Sequence, residues 1–571
     1  MKRFLPALKG ALHKLSSKLR HGDAPDEAYS LYPSQTERDC ADCVRPKRAR
    51  QPLISILMIA DGASPGDVSA TVESVAAQTY KRFELSVVSR LDQSGLDALN
   101  ELDGARLCML RDLSGAVEMA FSQSHGEFIS FIKPGDVLAP CALSECVDAL
   151  NSCDACDLVY SDYDEFVHGG RANPHFLPDI SLDTLFCYNY MLRPLLISRA
   201  LYESAGGLCG TAERSMYSLV LSAAMASAHT THIAKVLYTV KRNSKPGIGC
   251  AGAIDGVLKR AHINGYAQQG LYDGSYRTRY ILRSEPRLAI VIPNLNGQEQ
   301  LRRCMESIDD NAMYERYDFL IADMGSSDTK TLRYYDALEK NRAATIIRSN
   351  AVISAPKALN EAAERASCDA LLFLSPDTAL LLPESLEAML ELCMQHGAGA
   401  VGCKLIDPMR RIVEAGLVAG LHGWAGSLFA GCQERRGDKL YDQFVNSVRN
   451  VSVPGSRAVA VSAEAFFAAG KFDESFESVG YGIALCLTLL RRGLRNVYTP
   501  HAKFMYHGES RDPFADAPES ELVRCYDTLR PMLISGDPYY SMAFDYSKSI
   551  PAVSASRRQP IELNPMYVSN T

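Results

Sequence analysis

The sequence contains the same series of segments twice, and this repetition limits the possible folds more than any other feature. An apolar run, LISILMIA at 53–60, precedes a segment of helical spacing, TVESVAAQTYKRF, and then a second apolar run, ELSVVS. The series returns as RLAIVIPN at 287–294, LRRCMESIDDNAMYERY and DFLIAD at 318–323. Each copy then reaches a further apolar run, EFISFIKPGD at 127–136 and DALLFLSPD at 369–377. Short apolar runs predict buried strands, so the repetition predicts two copies of one domain.

Strands that alternate with helices predict an α/β fold with parallel sheets, in which ligands bind at the carboxyl ends of the strands. A length of 571 residues is also too great for one ordinary core. We predict a first domain at 51–283 and a second at 284–515. An N-terminal segment at 1–50 and a C-terminal tail at 516–571 flank them.

The net charge and the cysteine content indicate which classes of partner and which cellular compartment to expect. The net charge of -7 gives no reason to expect a nucleic-acid partner, and no long apolar run predicts a membrane-spanning helix. The 17 cysteines are scattered, which favours reduced thiols and a cytoplasmic location. Two pairs, Cys40/Cys43 and Cys153/Cys156, have C-x-x-C spacing. They are either the four ligands of a zinc ion or unrelated core thiols.

The N-terminus, MKRFLPALKGALHKLSSKLRHG at 1–22, has leucines at helical spacing and basic residues around the rest of the helix. This pattern is typical of a helix that lies on an anionic membrane surface, here the inner face of the plasma membrane. An amphipathic helix packed on its own protein would show the same pattern. Both interpretations stay open.

Several longer stretches resemble a known family. These are SVAAQTYKRFEL, CDLVYSDYDEFVHGGRANPHFLPDISLDTLFCYNY at 156–190 and GAGAVGCKLIDPMRRIVEAGLVAG at 397–420. They resemble family 2 glycosyltransferases in tandem arrangement, and the likeness covers most of 51–515. The resemblance implies two tandem GT-A domains, the Rossmann-like fold of nucleotide-diphospho-sugar transferases. It also implies a nucleotide-sugar donor, a divalent cation (Mg²⁺ or Mn²⁺) at the diphosphate, and a carboxylate base.

The resemblance assigns roles to five polar residues of the second domain. Asn296, Asp323, Asn360 and Asp377 match positions that bind the nucleotide sugar. Asp377 also matches the last aspartate of the metal motif, and His507 in FMYHGES matches a late histidine that helps with metal or phosphate. The metal ligands implied are therefore Asp377 and His507.

The catalytic base of the family is missing from the second domain. FDESFESVGYGIALCLTLLRRG aligns with a family segment that reads aromatic-Gly-Glu-Asp-x-Asp-Leu-Cys-Leu. Tyr481 and Gly482 replace its Glu-Asp pair, and Ala484 replaces the next aspartate. Glu477 is the nearest substitute in the sequence, whereas we expect Glu474 to cap the helix that follows.

The first domain departs further from the family pattern. Ser89 stands where the aspartate after the second strand belongs, and Lys133 and Gly135 occupy the metal-motif positions, which leaves only Asp136 beside them. Met216 replaces the aspartate of the base segment. We expect this domain to keep the scaffold and to lack the usual reactive groups.

Two functions from different classes follow from the resemblance. The first is a glycosyltransferase that moves a sugar from a nucleotide-sugar donor to a glycan or lipid-linked acceptor, in surface polysaccharide assembly. The second is a catalytically degenerate, glycosyltransferase-like scaffold or binding partner of an active transferase. Missing base carboxylates favour the second, and the polar residues kept in the second domain favour donor binding.

Overall fold

The computed structural model describes residues 48–60, 62–89, 105–109, 115–167, 170–208, 212–241, 251–282, 284–477, 480–509 and 518–554. The predicted N-terminal amphipathic helix and the pair Cys40/Cys43 lie outside these residues, and both remain predictions.

The chain divides into two compact units. Unit 1 comprises Met1–Asp154, Ser161–Phe176 and Ile233–Lys245, and unit 2 comprises Ala155–Tyr160, Leu177–His232 and Pro246–Thr571. The predicted domain boundaries stay a prediction.

The strands and helices are numbered here in chain order. The strands are β1 Ile54–Ile59, β2 Phe83–Ser89, β3 Ala105–Met109, β4 Phe128–Ile132, β5 Val137–Leu138, β6 Leu158–Val167, β7 Gly170–His175, β8 Leu196–Ser198, β9 Thr230–Lys241, β10 Gly265–Gln269, β11 Tyr276–Tyr280, β12 Leu288–Asn294, β13 Tyr317–Asp323, β14 Thr345–Ile347, β15 Ala370–Leu374, β16 Thr378–Leu380, β17 Ala398–Ile406, β18 Ile412–Glu414, β19 Leu417–Ala419, β20 Ala425–Ser427, β21 Arg449–Asn450, β22 Ala458–Ser462 and β23 Arg495–Tyr506. The helices are α1 Pro65–Ala76, α2 Ala116–Ser122, α3 Ala142–Ser152, α4 Leu182–Cys187, α5 Arg199–Ser204, α6 Ala212–Ala226, α7 Ala251–Arg260, α8 Gln298–Asn311, α9 Thr329–Lys340, α10 Ala355–Arg365, α11 Ser385–Cys393, α12 Lys439–Val445, α13 Ala463–Ala468, α14 Tyr481–Arg491 and α15 Glu519–Ser535.

The parallel strands of the two units have the same order. In unit 1 the order is β3-β2-β1-β4, and β5 pairs antiparallel with β9. In unit 2 the order is β14-β13-β12-β15, and β16 pairs antiparallel with β23. The predicted α/β class with two copies of one sheet is therefore confirmed.

Helices of unit 2 form where apolar residues recur at helical spacing. Helix α8 buries Leu301, Cys304, Met305 and Ile308, which lie three or four positions apart. A larger buried cluster joins β12, β13 and β15 to helices α10, α13, α14 and α15. This core fixes the sheet on which the candidate site is built.

Helix α14 begins at Tyr481 behind Gly480, whose φ of 83° is favourable only for glycine. A Cβ atom at Gly480 would lie 2.4 Å from the Cys525 sulfur, so the position also requires the absence of a side chain. Glu474 lies well before this helix start. The prediction that Glu474 caps the helix is therefore wrong.

The described residues bear on the membrane and cysteine predictions. None of the helices in the described ranges is long and apolar enough to cross a membrane. Cys141 is disulfide-bonded, so the expectation of reduced thiols is wrong at that position. Cys156 lies 3.2 Å from the Thr231 hydroxyl.

Candidate active site at the strand ends of unit 2

The candidate site lies where the parallel strands of unit 2 end. Strands β12 and β13 pair in register up to their last residues, so that Asn294 lies opposite Asp323. The neighbouring strand β15 ends at Leu374, three residues before Asp377. Polar side chains that are separate in the sequence therefore come to one edge of the sheet.

Asn296 shapes the loop above β13. Its φ of 56° is left-handed, a conformation that asparagine tolerates better than most residues. The Asn296 Oδ1 accepts hydrogen bonds from the backbone N–H groups of Ser327 and Asp328, both at 2.8 Å. The side chain thus ties the first strand end to the N-terminus of α9.

Asp323 is buried and is bonded to the same loop. Its Oδ1 accepts from the Ser326 N–H at 3.0 Å and from the Tyr335 hydroxyl at 3.1 Å, and its Oδ2 accepts from the Ser349 N–H at 3.4 Å. Burial raises the pKa of Tyr335 to about 12, so the hydroxyl stays protonated and can donate to the carboxylate. Asp323 is present at the strand end, as predicted from the sequence.

Asn294 is a further polar residue of this edge, and sequence analysis did not select it. Its Nδ2 donates to the Tyr335 hydroxyl at 2.7 Å, whereas its buried Oδ1 has no hydrogen-bond partner in the described part of the chain. A Cβ atom at Gly297 would lie 2.7 Å from that oxygen. The sequence signal was the first asparagine of IPNLN, which is the last residue of the strand.

The hydrogen-bond partners of the Asn360 side chain are Phe472 and Glu474. Its Nδ2 donates to the Phe472 carbonyl and to the Glu474 carboxylate, each at 2.9 Å, and its Oδ1 accepts from the Phe472 N–H at 3.1 Å. The amide therefore holds the turn at 472–474. Its predicted contact with a nucleotide sugar remains a prediction.

Asp377 and His507 are brought together by the pairing of β16 with β23. Thr378 lies opposite Tyr506, and the His507 N–H donates to the Asp377 carbonyl at 2.8 Å. The Asp377 N–H donates to the Ser375 hydroxyl at 3.4 Å. The two residues predicted as metal ligands are therefore neighbours in the structure.

These two residues fit a divalent cation in chemical type. Partial burial and the nearby Arg303 guanidinium lower the pKa of His507, which favours the neutral ring that can bind a metal. Mg²⁺ is commonly held by one or two protein ligands together with substrate phosphates and water. Within the described ranges, no group of three or more His, Cys, Asp or Glu residues could hold a metal ion. Any cation here would take its other ligands from substrate and water.

A buried ion pair lies beside this turn. Glu414 accepts from the Ser456 N–H at 3.0 Å and from its hydroxyl at 2.6 Å, and it pairs with Arg457. The Arg457 guanidinium lies 4.6 Å from the centroid of the Tyr506 ring. The backbone carbonyl of Arg457 accepts a hydrogen bond from the Ser375 N–H at 2.8 Å. No sequence pattern linked Glu414 to Arg457.

The start of α14 has space at Gly482, the position at which the resemblance predicts the missing base. A Cβ atom at Gly482 would meet no atom within 4 Å. Tyr481 packs edge-on against Phe472, with ring centroids 5.1 Å apart. Glu477 is exposed, and its N–H donates to the buried Glu521 carboxylate of α15 at 3.2 Å. Glu521 is a carboxylate near this segment that sequence analysis did not find.

Comparison with known proteins assigns the family of this region. Residues 289–438 match the family model described as Glycosyl transferase family 2. This part of the chain is a family 2 glycosyl transferase domain. The matched residues contain Asn296, Asp323, Asn360 and Asp377, and they end before Gly482 and His507.

Two longer proteins are similar to most of the chain. One is "O-antigen biosynthesis protein RfbC" of Myxococcus xanthus, 28% identical over 518 residues, which are 86% of this chain and 40% of that protein. The other is "Uncharacterized protein y4gI" of Sinorhizobium fredii, 28% identical over 498 residues, which are 82% of this chain and 54% of that protein. The chain thus spans about half the length, or less, of these two relatives.

Solved glycosyltransferase structures show a weaker likeness. GalNAc-T7 with UDP, GalNAc and Mn²⁺ has a TM-score of 0.35 at 13% identity, over 43% of this chain and 48% of that chain. A mannosyltransferase from Pyrobaculum calidifontis with GDP-Man and Mn²⁺ has a TM-score of 0.29 at 13% identity, over 44% of this chain and 75% of that chain. These scores are too low to transfer a ligand or a site residue to the family 2 domain.

Proposed function

We propose that the chain is a glycosyltransferase that transfers a sugar from a nucleotide-sugar donor to a glycan or lipid-linked acceptor in surface polysaccharide assembly. The observation that carries the proposal is the placement of Asp377 beside His507 at the strand ends of a family 2 domain. The name of the Myxococcus xanthus relative, an O-antigen biosynthesis protein, supports the choice of polysaccharide assembly.

In the proposed site, the chain's own residues hold the donor. Asp323 and Asn296 fix the loop at 324–328, which forms one wall of the nucleotide pocket. Beside this loop, the buried Asn294 Oδ1 has no hydrogen-bond partner among the described residues. Asp377 and His507 would bind a divalent cation, which when bound neutralises charge on the diphosphate leaving group. The pairing of β16 with β23 keeps these two residues adjacent in the absence of substrate.

The alternative is a degenerate transferase that binds a donor and serves as a scaffold. Gly482 and Ala484 specifically favour it, because neither can accept the proton of an acceptor hydroxyl. General-base catalysis contributes roughly a hundred- to ten-thousandfold to a rate, so transfer without a base should be slow. Donor binding is common to both functions, and nucleoside diphosphate release separates them.

Calorimetric titration with UDP, GDP, CDP and dTDP in the presence of Mn²⁺ tests donor binding. At least one nucleotide should bind, and Asp377→Ala should abolish or strongly weaken that binding. Asp310→Ala is the matched control, because Asp310 is an exposed aspartate of α8. Removal of the cation with EDTA should weaken binding to the unmodified protein and have less effect on Asp377→Ala.

Two results would count against the proposal. The absence of binding heat for every nucleotide would exclude a donor pocket, and equal binding by Asp377→Ala would place the pocket elsewhere. Incubation with the corresponding nucleotide sugars then decides between the two functions. A transferase releases free nucleoside diphosphate in the presence of its acceptor, whereas a scaffold binds the donor and releases none.

A further inference from the structure

Arg303 is a positively charged residue beside the candidate site, close enough to His507 to lower the pKa of that side chain. It lies on α8, and the next residue, Cys304, packs its sulfur 3.8 Å from the Ser375 carbonyl and 3.8 Å from the Thr378 hydroxyl. The turn between those two residues carries Asp377. Helix α8 therefore holds Arg303 next to the turn of the proposed metal ligand.

The Arg303 guanidinium has an unused donor. Its Nε is buried and has no hydrogen-bond partner among the residues that the structure describes. No carboxylate of those residues forms an ion pair with Arg303 either. A buried N–H without a partner destabilises the folded chain unless a ligand supplies an acceptor.

The preceding residue provides an internal comparison. Arg302 is bonded to two carboxylates of its own helix, Glu299 at 2.6 Å and Glu306 at 2.7 Å. The positive charge of Arg302 is therefore balanced on the surface of the helix. The same helix thus carries one arginine with its charge paired and one with no ion pair among the described residues.

Phosphate is the ligand chemistry that suits such a group. A guanidinium is planar, stays charged at any working pH and forms paired hydrogen bonds to phosphate oxygens. Asp377 adds a negative charge that would repel a diphosphate unless positive charge lies close by. Arg303 supplies one positive charge at this position.

We propose that Arg303 is a phosphate-binding residue that holds the diphosphate of the donor beside Asp377. The inference rests on the proposed function, since it names a further contact of the same site. It adds that part of the charge neutralisation comes from the chain itself. Donor binding should therefore persist in part after cation removal, and that residual binding should depend on Arg303.

Titration calorimetry with a nucleoside diphosphate and its parent nucleoside tests this assignment. The probe is whichever of UDP, GDP, CDP or dTDP binds the unmodified full chain. Arg303→Ala should weaken diphosphate binding about tenfold to a hundredfold, because bonds to charged groups contribute about 1.5–3 kcal/mol. Binding of the nucleoside, which has no phosphate, should not change.

Two variants complete the design. Arg302→Ala, the matched control, should bind both probes like the unmodified protein. Arg303→Lys keeps the charge and loses the planar guanidinium that forms paired hydrogen bonds, so its diphosphate affinity should be intermediate. If Arg303→Ala does not fold, Arg303→Lys replaces it in the test. With EDTA present, the unmodified protein should keep weak diphosphate binding and Arg303→Ala should show none.

The outcomes separate this inference from the proposed function. If the unmodified protein binds no nucleoside diphosphate, both are wrong. If it binds one and Arg303→Ala binds it equally well, only the phosphate contact is refuted. An equal loss of nucleoside and diphosphate binding would show that Arg303 supports the fold of the pocket, which also refutes the phosphate contact.

Discussion

Replacing Asn360 by alanine tests whether this residue supports the fold or contacts the ligand. The side chain is buried, and its amide bonds both the N–H and the carbonyl of Phe472. Phe472 in turn packs against Tyr481 at the start of the base segment. The structure therefore predicts that Asn360→Ala loosens the turn at 472–474.

The expected loss can be worked out from these contacts. Asn360→Ala leaves the Phe472 N–H and carbonyl without their present partners, and Phe472 itself is 6% exposed. Each buried group left unpaired costs roughly 1–3 kcal/mol, so the loss of both bonds should lower the free energy of unfolding by about 2–6 kcal/mol. The bond to exposed Glu474 adds little. A loss of this size is a large part of the roughly 5–15 kcal/mol typical of a folded protein.

Urea unfolding followed by tryptophan fluorescence measures this loss. The chain has one tryptophan, Trp424, and it packs against the same buried cluster that contains Phe472. Asn341→Ala is the matched control, because Asn341 is exposed. Its unfolding midpoint should stay close to that of the unmodified protein.

The same samples, titrated with a nucleoside diphosphate below the unfolding transition, test the ligand role. We expect folded Asn360→Ala to bind the nucleotide with nearly unchanged affinity. If Asn360→Ala is as stable as Asn341→Ala, the reasoning from buried hydrogen bonds is wrong. If its stability is unchanged and its affinity falls, the contact with the nucleotide sugar predicted from the sequence is correct.

Three further predictions concern catalysis and membrane association. Gly482→Asp should raise nucleoside diphosphate release about a hundredfold or more, because the site has room for a side chain and a carboxylate is favourable at a helix N-terminus. Gly482→Asn, of similar size but without a base, should show no increase, and an equal gain in both would exclude base restoration. Glu477→Gln should abolish the residual turnover of the unmodified chain if Glu477 substitutes for the base, and unchanged turnover would rule that out. Liposomes with anionic lipid should sediment the full chain, less so at high salt, and a chain that lacks residues 1–22 should stay in the supernatant. Equal sedimentation of both chains would remove the membrane interpretation.

The sequence by itself determined the α/β class, the repetition of the sheet and the residues at the strand ends. These features depend on local patterns: the apolar run of a strand, helical spacing, and a polar residue where a run stops. Asp323 and Asp377 could therefore be placed at one edge before any tertiary structure was known. The resemblance also identified Gly482 at the position of the missing base.

Only the tertiary structure decided which partners these side chains have. The amide of Asn360 bonds Phe472, 112 residues away, and Glu414 pairs with Arg457, 43 residues away. Nothing in the spacing of the sequence indicates such pairs, because packing of distant elements brings them together. The sequence also did not indicate that the Arg303 Nε is buried and, among the described residues, has no hydrogen-bond partner. A polar group's role follows from what it contacts when water is excluded, and only the folded chain sets those contacts.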